Sequence, residues 1–266
     1  MRTASVSALS AALVLLGSTA MAQEAWWSGD WYVKLGGAGF VAPRFQGDNS
    51  YILQGKPLIS VGKGDEDVRF ISRNDNTSFS LYDNRMIRLG VTGKILLPRD
   101  GDTSNDLKGL KPVEWGGELG GFAEVYPTDW MRFRTEIRQG IRSHDGVVGD
   151  LAADAFYDVT PTVRVSAGPR LSFATEGYMD AYYGVNAKES AKSGLSKYNP
   201  DGGLQSTGIG GAVNWKATEQ LETSLFAEYT RLLGPVADSS LVKERGSRDQ
   251  FMIGVSATYK FNFKIP

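Results

Sequence analysis

The strongest constraint on the fold is a period of two in the distribution of apolar and charged residues. From 131 to 142 the odd positions read Met, Phe, Thr, Ile, Gln, Ile and the even positions read Arg, Arg, Glu, Arg, Gly, Arg. Successive side chains of a β-strand point to opposite faces, so this segment forms a strand with one apolar and one charged face. A helix would place arginines on every side. The alternation recurs at 162–173, 221–230 and 250–263.

The length of these segments separates two classes of β-protein. A soluble β-sandwich also alternates, but its strands are mostly about five or six residues long. Segments of about ten residues or more fit a tilted transmembrane strand. We therefore predict an all-β fold, an antiparallel transmembrane β-barrel of about 12 strands. The predicted strands are 31–42, 50–62, 67–73, 78–83, 86–97, 113–126, 131–142, 147–158, 162–174, 203–216, 219–232 and 249–263.

Short and long connections alternate along the chain. Tight turns at 127–129, 159–161 and 216–218 alternate with long polar loops at 98–112, 175–203 and 233–248. Outer-membrane barrels have short periplasmic turns and longer extracellular loops. A single strand over 68–82 would make the strand count odd and separate the two termini across the membrane, so we divide that segment at 74–76. Residues 186–193 contain helix formers and are predicted to form a short helical turn.

The beginning of the chain is predicted to be a signal peptide. One basic residue, an apolar run and small residues at Ala20 and Ala22 predict export with cleavage after residue 22, and a barrel domain over 23–266. The 29 basic and 30 acidic side chains leave no excess positive charge for nucleic acid. The chain has no cysteine, so disulfides and thiolate metal sites are absent. We predict no cofactor and no metal.

Aromatic residues at strand ends are predicted to form belts at the two membrane interfaces, with ordinary core packing as the alternative. They are Trp26, Trp27, Trp31, Trp115, Tyr126, Trp130, Tyr157, Trp215, Tyr259 and Phe263.

The charged faces are predicted to meet inside the barrel. Glu114, Glu118 and Glu124 precede the arginine-rich strand, and aspartates follow it, so neighbouring strands are complementary in charge. The network is predicted to comprise Arg88, Glu114, Glu118, Arg132, Arg134, Glu136, Arg138, Asp150, Asp154, Arg164, Arg170 and Glu228. A structural ion network in a filled interior and a polar pore both remain open, and the small strand count favours the filled interior.

The sequence offers little material for catalysis. His144 is the only histidine, and the segment 143–146 around it ends in Asp-Gly, which is a hairpin signal. We predict no catalytic residue. A hydrolase that depends on His144 is the alternative, since some outer-membrane hydrolases use a histidine near the rim.

Several segments, mostly in the loops, resemble the MipA/OmpV family. They are residues 178–185, 191–195, 198, 229–234, 237–239 and 242–250. The resemblance implies an outer-membrane protein of a Gram-negative cell, in contact with outer-membrane lipid. The namesake of the family is a scaffold that joins a murein lytic transglycosylase to a bifunctional penicillin-binding protein.

The resemblance therefore favours a non-enzymatic scaffold of the cell envelope. A narrow porin-like channel and a surface adhesin are the alternatives. The predicted partner-binding or plug residues in the loops are Tyr178, Tyr182, Tyr183, Gly194, Leu195, Tyr198, Arg245, Gly246, Ser247 and Arg248.

Overall fold

The computed structural model describes residues 28–63, 70–72 and 75–266. The predicted signal peptide at 1–22 lies outside the described residues. So do Trp26 and Trp27, and positions 67–69 and 73 of the predicted third strand.

Eleven β-strands form one sheet in the described part of the chain. They are β1 (Gly29–Pro43), β2 (Tyr51–Lys63), β3 (Thr77–Asp83), β4 (Ile87–Leu96), β5 (Gly116–Thr128), β6 (Met131–Ile141), β7 (Val147–Thr160), β8 (Val163–Ala174), β9 (Gly203–Lys216), β10 (Leu221–Leu232) and β11 (Asp249–Ile265). Every paired neighbour is antiparallel. The predicted all-β antiparallel fold is confirmed, and each of these strands was predicted to within three residues at either end.

The two ends of the barrel differ. At one end, which we call the turn end, short connections join β5 to β6, β7 to β8 and β9 to β10. At the other, the loop end, long connections carry a short 3-10 helix (Asn105–Leu107) and four helices: α1 (Glu176–Tyr183), α2 (Ala187–Ser193), α3 (Gly234–Asp238) and α4 (Ser240–Arg245). The predicted helical turn at 186–193 is confirmed as α2, which the Asn186 side chain caps together with Glu189. None of the described helices is long and apolar enough to cross a membrane.

The sheet closes at a seam between β2 and β3. These two strands are the edges of the sheet, and they contact each other. Because all neighbours are antiparallel and the strand number is odd, β2 and β3 run in the same direction. In the described part of the chain no hydrogen-bonded ladder joins them.

The predicted strand at 67–73 is wrong for the residues that the structure describes. Residues 70–72 are not in a strand. The Phe70 ring is buried inside the barrel and stacks on Phe156 at 4.6 Å between ring centroids. Farther along, Asn76 donates a hydrogen bond to Glu136, midway along β6. We call residues 70–72 and 75–76 the inner connection.

The inner connection explains how β1 can begin and β11 can end at the same end of the barrel, the turn end, although the number of strands is odd. β2 ends at Lys63, which pairs with Trp31 close to the start of β1 at the turn end. β3 begins at Thr77, opposite Gly93 in the middle of β4. The described residues between β2 and β3, 70–72 and 75–76, therefore lie in the interior and not in the wall. The division of this segment near residue 75 was correct, but the returning piece is not part of the sheet.

The two faces of the sheet differ as the alternation predicts. Ile137 on the outer face is 57% exposed, whereas its neighbours Glu136 and Arg138 are 4% and 1% exposed. Glycine allows close contact where the loops meet the wall: a Cβ on Gly140 would lie 2.2 Å from the His144 ring. The apolar faces of the strands thus lie on the outer surface of the barrel, and the charged faces line its interior.

Most of the aromatic residues predicted to form belts lie on the outer surface. Exposed rings are those of Trp115, Trp130, Tyr157, Trp215, Tyr259 and Phe263. Trp31 and Tyr126 are each only 9% exposed. Tyr126 points inward, where its hydroxyl donates to Glu124 and lies near the Phe70 carbonyl, so its assignment to a belt is corrected. The odd and even registers of β5 explain this, because Tyr126 shares the face of Glu124.

The seam predicts uneven protection of backbone amides. β3 has a hydrogen-bonded neighbour on one side only, whereas β10 lies between β9 and β11. We expect amides of β3 to exchange with deuterium on the order of tenfold faster than those of β10 in detergent micelles, because an edge opens without breaking a second ladder. Mass spectrometry after proteolysis measures the two rates. Equal protection of β3 and β10 would show that the seam is closed by hydrogen bonds.

Candidate functional site: the barrel interior and its cap

The interior is organised around a column of charges on β6. Arg132, Arg134, Glu136 and Arg138 occupy every second position, so they share the inward face and rise by about 7 Å per pair of residues. All four side chains are at most 4% exposed. At such burial an unpaired charge is strongly unfavourable, so the neighbouring strands must supply partners.

Arg132 is the most enclosed of these side chains. Its guanidinium contacts three carboxylates: Asp75 of the inner connection at 2.6 Å, Glu124 of β5 at 3.1 Å and Asp154 of β7 at 2.6 Å. It also lies over the Phe70 ring, 4.9 Å from the centroid. Arg132 therefore ties two strands of the wall to the chain segment that passes between them.

The ion pairs continue toward the loop end. Arg134 bridges Glu124 and Glu136. Arg138 contacts Glu136 at 2.5 Å, Glu118 at 2.7 Å and Asp150 at 2.6 Å. Carboxylates of the neighbouring segments thus lie between the arginines, and each cation of β6 has at least two carboxylate partners.

The inner connection is held by polar contacts with this network. Arg170 of β8 donates to the Ser72 hydroxyl at 3.0 Å and pairs with Asp154 at 2.5 Å. Asn76 donates to Glu136 at 2.7 Å. The connection therefore occupies space that would otherwise be open lumen.

The structure brings together most of the residues predicted for the network. Those within the ion-paired cluster are Arg88, Glu118, Arg132, Arg134, Glu136, Arg138, Asp150, Asp154 and Arg170. Arg164 lies at the turn end and pairs with Asp158 at 2.6 Å. Glu228 lies on the inward face of β10 and accepts a hydrogen bond from Thr230.

Glu114 is a correction to the predicted network. It precedes β5, its side chain is 65% exposed, and it pairs with Arg142 at the loop end instead of inside the barrel. Sequence reasoning missed the contribution of Asp75. That residue lies outside every strand, so no alternation could assign it a face.

Cavities remain inside the barrel, and the described residues line three of them. Their volumes are about 190, 230 and 220 Å³. The first and third share Asp75, Asn76 and Arg134 in their walls. The inner connection and the ion network thus stand between these two spaces.

The loop end is covered by a packed cap, which we define as the connections that carry α1 to α4 together with residues 98–112. Met179, Tyr183, Leu232 and Val236 form one buried apolar cluster, and Leu195 belongs to a second. The cap therefore has its own cores above the barrel.

The predicted loop residues occupy different places in this cap. The Tyr183 hydroxyl donates to Gln46, and Tyr198 donates to the Pro235 carbonyl at 2.8 Å. Gly194 ends α2 with a left-handed backbone, φ 79°, which favours glycine. Arg245 donates to the carbonyls of Asp106 and Ser193.

The remaining predicted loop residues lie directly after α4 or within α1. Gly246 pairs with Asp48, and the Ser247 amide donates to the Gly47 carbonyl at 2.9 Å. Arg248 is exposed and pairs with Asp238. Tyr178 and Tyr182 stack on each other, with 4.6 Å between ring centroids. Of the whole set, Arg248 is the most accessible to another molecule, whereas Tyr183 and Leu195 are buried.

Arg99 is a cation in the cap that sequence reasoning did not single out. Its guanidinium lies over the rings of Phe45, Tyr182 and Tyr183, at 5.3, 4.8 and 5.7 Å from their centroids. Burial lowers the pKa of Arg99 below the usual arginine range, since desolvation disfavours the charged form. Burial also raises the pKa of Tyr183, which keeps that hydroxyl neutral as a donor.

His144 lies beneath the cap. The side chain is fully buried, and its Nε2 atom is 3.3 Å from Glu118. The Tyr178 ring meets it edge-on at 4.9 Å between centroids. Residues 143–146 join β6 to β7, as the Asp-Gly signal predicts. A substrate at the surface would not reach this imidazole. No three side chains of the described residues group as a metal site.

Comparison with known proteins identifies the family. Residues 35–261 match the family described as MltA-interacting protein MipA. The chain belongs to this MipA family. The match runs from β1 to β11, so it includes the ion network and the cap.

Relatives of the MipA family member described here include two curated proteins. The MltA-interacting proteins of Escherichia coli (strain K12) and Shigella flexneri are each 29% identical over 145 residues, which are 54% of this chain and 56% of theirs. The chain thus spans about half the length of the curated relatives it matches. Among solved structures, the NanC porin aligns over 87% of this chain and 100% of its own, with 8% identity and a TM-score of 0.39.

The buried network predicts a large cost for removing its central cation. Arg132→Met leaves Asp75, Glu124 and Asp154 close together without their shared partner, and we expect it to lower the free energy of unfolding by about 3–5 kcal/mol. Urea titration in detergent, followed by tryptophan fluorescence, measures the change.

Lys243→Met is a control for charge, because it also replaces one ion-paired cation by methionine. Lys243 and its partner Asp238 are about half exposed. We expect a loss of at most about 1 kcal/mol. If both variants lose equally little, the interior ion pairs do not stabilise the barrel.

Proposed function

We propose that this MipA family member is an outer-membrane barrel that acts as a non-enzymatic scaffold of the Gram-negative envelope. Its charged interior is closed by ion pairs and by the inner connection, and that observation carries the proposal. The signal peptide at 1–22 would export it. Its partner would be a murein lytic transglycosylase, and a bifunctional penicillin-binding protein would be recruited with it.

The outer surface supports a place in lipid. Large apolar side chains are exposed along the wall, including Leu53 at 78%, Ile95 at 82% and Ile253 at 56%. Soluble monomeric proteins seldom expose continuous apolar patches of this kind. The strands of the wall also reach or exceed the length of about 9–11 residues that a tilted strand needs to cross a bilayer, β3 excepted. A hydrocarbon solvent would remove the cost of exposing these faces.

The interior supports a scaffold in preference to a conduit. A channel needs mobile water and charges that can exchange partners with solutes. Here Arg132 and Arg138 are at most 1% exposed and each contacts three carboxylates. The packed cap covers the loop end. A rigid, filled barrel is suited to holding partners at its ends.

The names of the relatives support the choice of partner. The curated proteins that resemble this chain are called MltA-interacting proteins. A periplasmic enzyme would meet the turn end, because the long loops lie on the opposite side. The exposed connection between β3 and β4, which contains Arg85, is a suitable contact point. Arg248 at the loop end would face an external partner instead.

In-cell photocrosslinking tests this placement. A photoreactive amino acid at Arg85 should capture a murein lytic transglycosylase, identified by mass spectrometry. The same probe at Lys197, which is exposed at the loop end, is the matched control and should not. Capture from Lys197 alone, or from neither site, would contradict the proposed scaffold.

A narrow channel is the second candidate, and the three interior cavities favour it. Planar-bilayer recording of the purified protein distinguishes the two functions. We expect no stable unitary conductance from the scaffold, because the ion network and the inner connection occlude the lumen. Stable unitary currents would overturn the filled interior and support the channel.

A further inference from the structure

The cap contains a partly buried cation without an anionic partner among the described residues. No carboxylate of the described residues lies within ion-pair distance of Arg99, and the Tyr182 carbonyl is the only acceptor that its guanidinium reaches there. The interior arginines behave differently: Arg132 and Arg138 each have three carboxylates. A guanidinium has five N–H donors, so most of the hydrogen-bonding capacity of Arg99 is unused.

The aromatic rings around Arg99 orient it without neutralising it. The guanidinium carbon lies over the rings of Phe45, Tyr182 and Tyr183. Ring faces attract a cation, but they leave the in-plane N–H groups free to bind an acceptor. The geometry therefore holds the planar fork in place with its edge available.

A cavity of about 150 Å³ adjoins this guanidinium. Its wall includes Lys111, Asp180 and Glu189. Both carboxyl oxygens of Glu189 are occupied, one by the Lys111 amide at 2.9 Å and the other by the Asn186 amide at 2.8 Å. Lys111 has no ion-pair partner among the described residues. Two cations and two carboxylates therefore line the same space, and the Asp180 carboxylate oxygens have no hydrogen-bond partner among the described residues.

We propose that this cavity is a binding site for a small carboxylate that also carries hydroxyl or ammonium donors. Arg99 binds the carboxylate through its planar fork, and Lys111 adds a second positive charge. Asp180 accepts a hydrogen bond from the donor group of the ligand. The site lies at the loop end, so it opens on the side opposite the proposed scaffold contact and does not depend on it.

The charges of the wall favour a carboxylate over a phosphate. The Asp180 and Glu189 carboxylates both repel a dianion more strongly than a monoanion. A carboxylate also matches the two parallel donors of a guanidinium. Inorganic phosphate is therefore the discriminating competitor. The alternative is that Arg99 only stabilises the cap by packing against the aromatic rings, in which case no anion binds.

Calorimetric titration of the detergent-purified full chain tests the site. The probes are D-glucuronate, its uncharged analogue D-glucuronamide, glycine and inorganic phosphate. We expect glucuronate or glycine to bind, with glucuronamide and phosphate at least about tenfold weaker, because the charge-assisted contact needs a carboxylate. Equal binding of glucuronamide, preferred binding of phosphate, or no binding of either carboxylate would overturn the proposal.

Variants distinguish a ligand-binding role of Arg99 from a purely structural role in the cap. Arg99→Lys keeps the charge but loses the fork, and we expect about tenfold weaker binding of the carboxylate. Lys111→Gln is at an exposed position that does not brace the cap, and it should weaken binding by about threefold. Lys108→Gln in the same loop makes the same charge change away from the cavity and should leave the affinity unchanged. If Arg99→Lys and Lys111→Gln both bind as the unaltered protein does, the assignment is wrong.

Discussion

The contact between Arg132 and its three carboxylates is the constraint on which the rest of this barrel depends. The guanidinium is fully buried, and its partners come from β5, β7 and the inner connection. None of these groups can be left alone, because a charge in a dry interior without its partner is strongly destabilising. The outer face of the same strands must be apolar, so the charges have nowhere else to point. An apolar outer face on each strand therefore requires ion pairs between the charged inner faces of neighbouring strands.

The inner connection follows from the same requirement. Seven consecutive residues of β6, 132–138, bring three arginines and one glutamate inward, and the neighbouring strands supply carboxylates. Asp75 completes the environment of Arg132 only because the chain returns through the interior. The inner connection fills part of the lumen, and β2 and β3 are left without a hydrogen-bonded ladder between them in the described part of the chain. In a wider barrel, water would have solvated the same arginines, and no such segment would be needed.

Sequence reasoning succeeded where a face is defined by periodicity. The strands at 131–141 and 203–216 and the helix α2 were predicted from local patterns, because alternation and helix propensity act over a few residues. It failed for 67–73, where Phe70 turns inward as part of a connection instead of a strand. Tyr126 was misassigned because its nearness to a turn outweighed its register. Glu114 was misplaced by a strand boundary that began three residues too early.

The environment of Arg99 could not have been predicted from the sequence. Arg99 stands in a loop without periodicity, and its aromatic neighbours come from residues 45, 182 and 183. Only the folded cap brings these groups together. The contrast between Arg132 and Arg99 also separates structure from recognition. Where a buried arginine is surrounded by the chain's own carboxylates, its charge stabilises the fold. A partly buried arginine that contacts aromatic rings and has no carboxylate partner among the described residues retains affinity for an outside anion. A filled barrel leaves its two ends as the places for function, and in this chain only the loop end carries such an unsatisfied charge among the residues described.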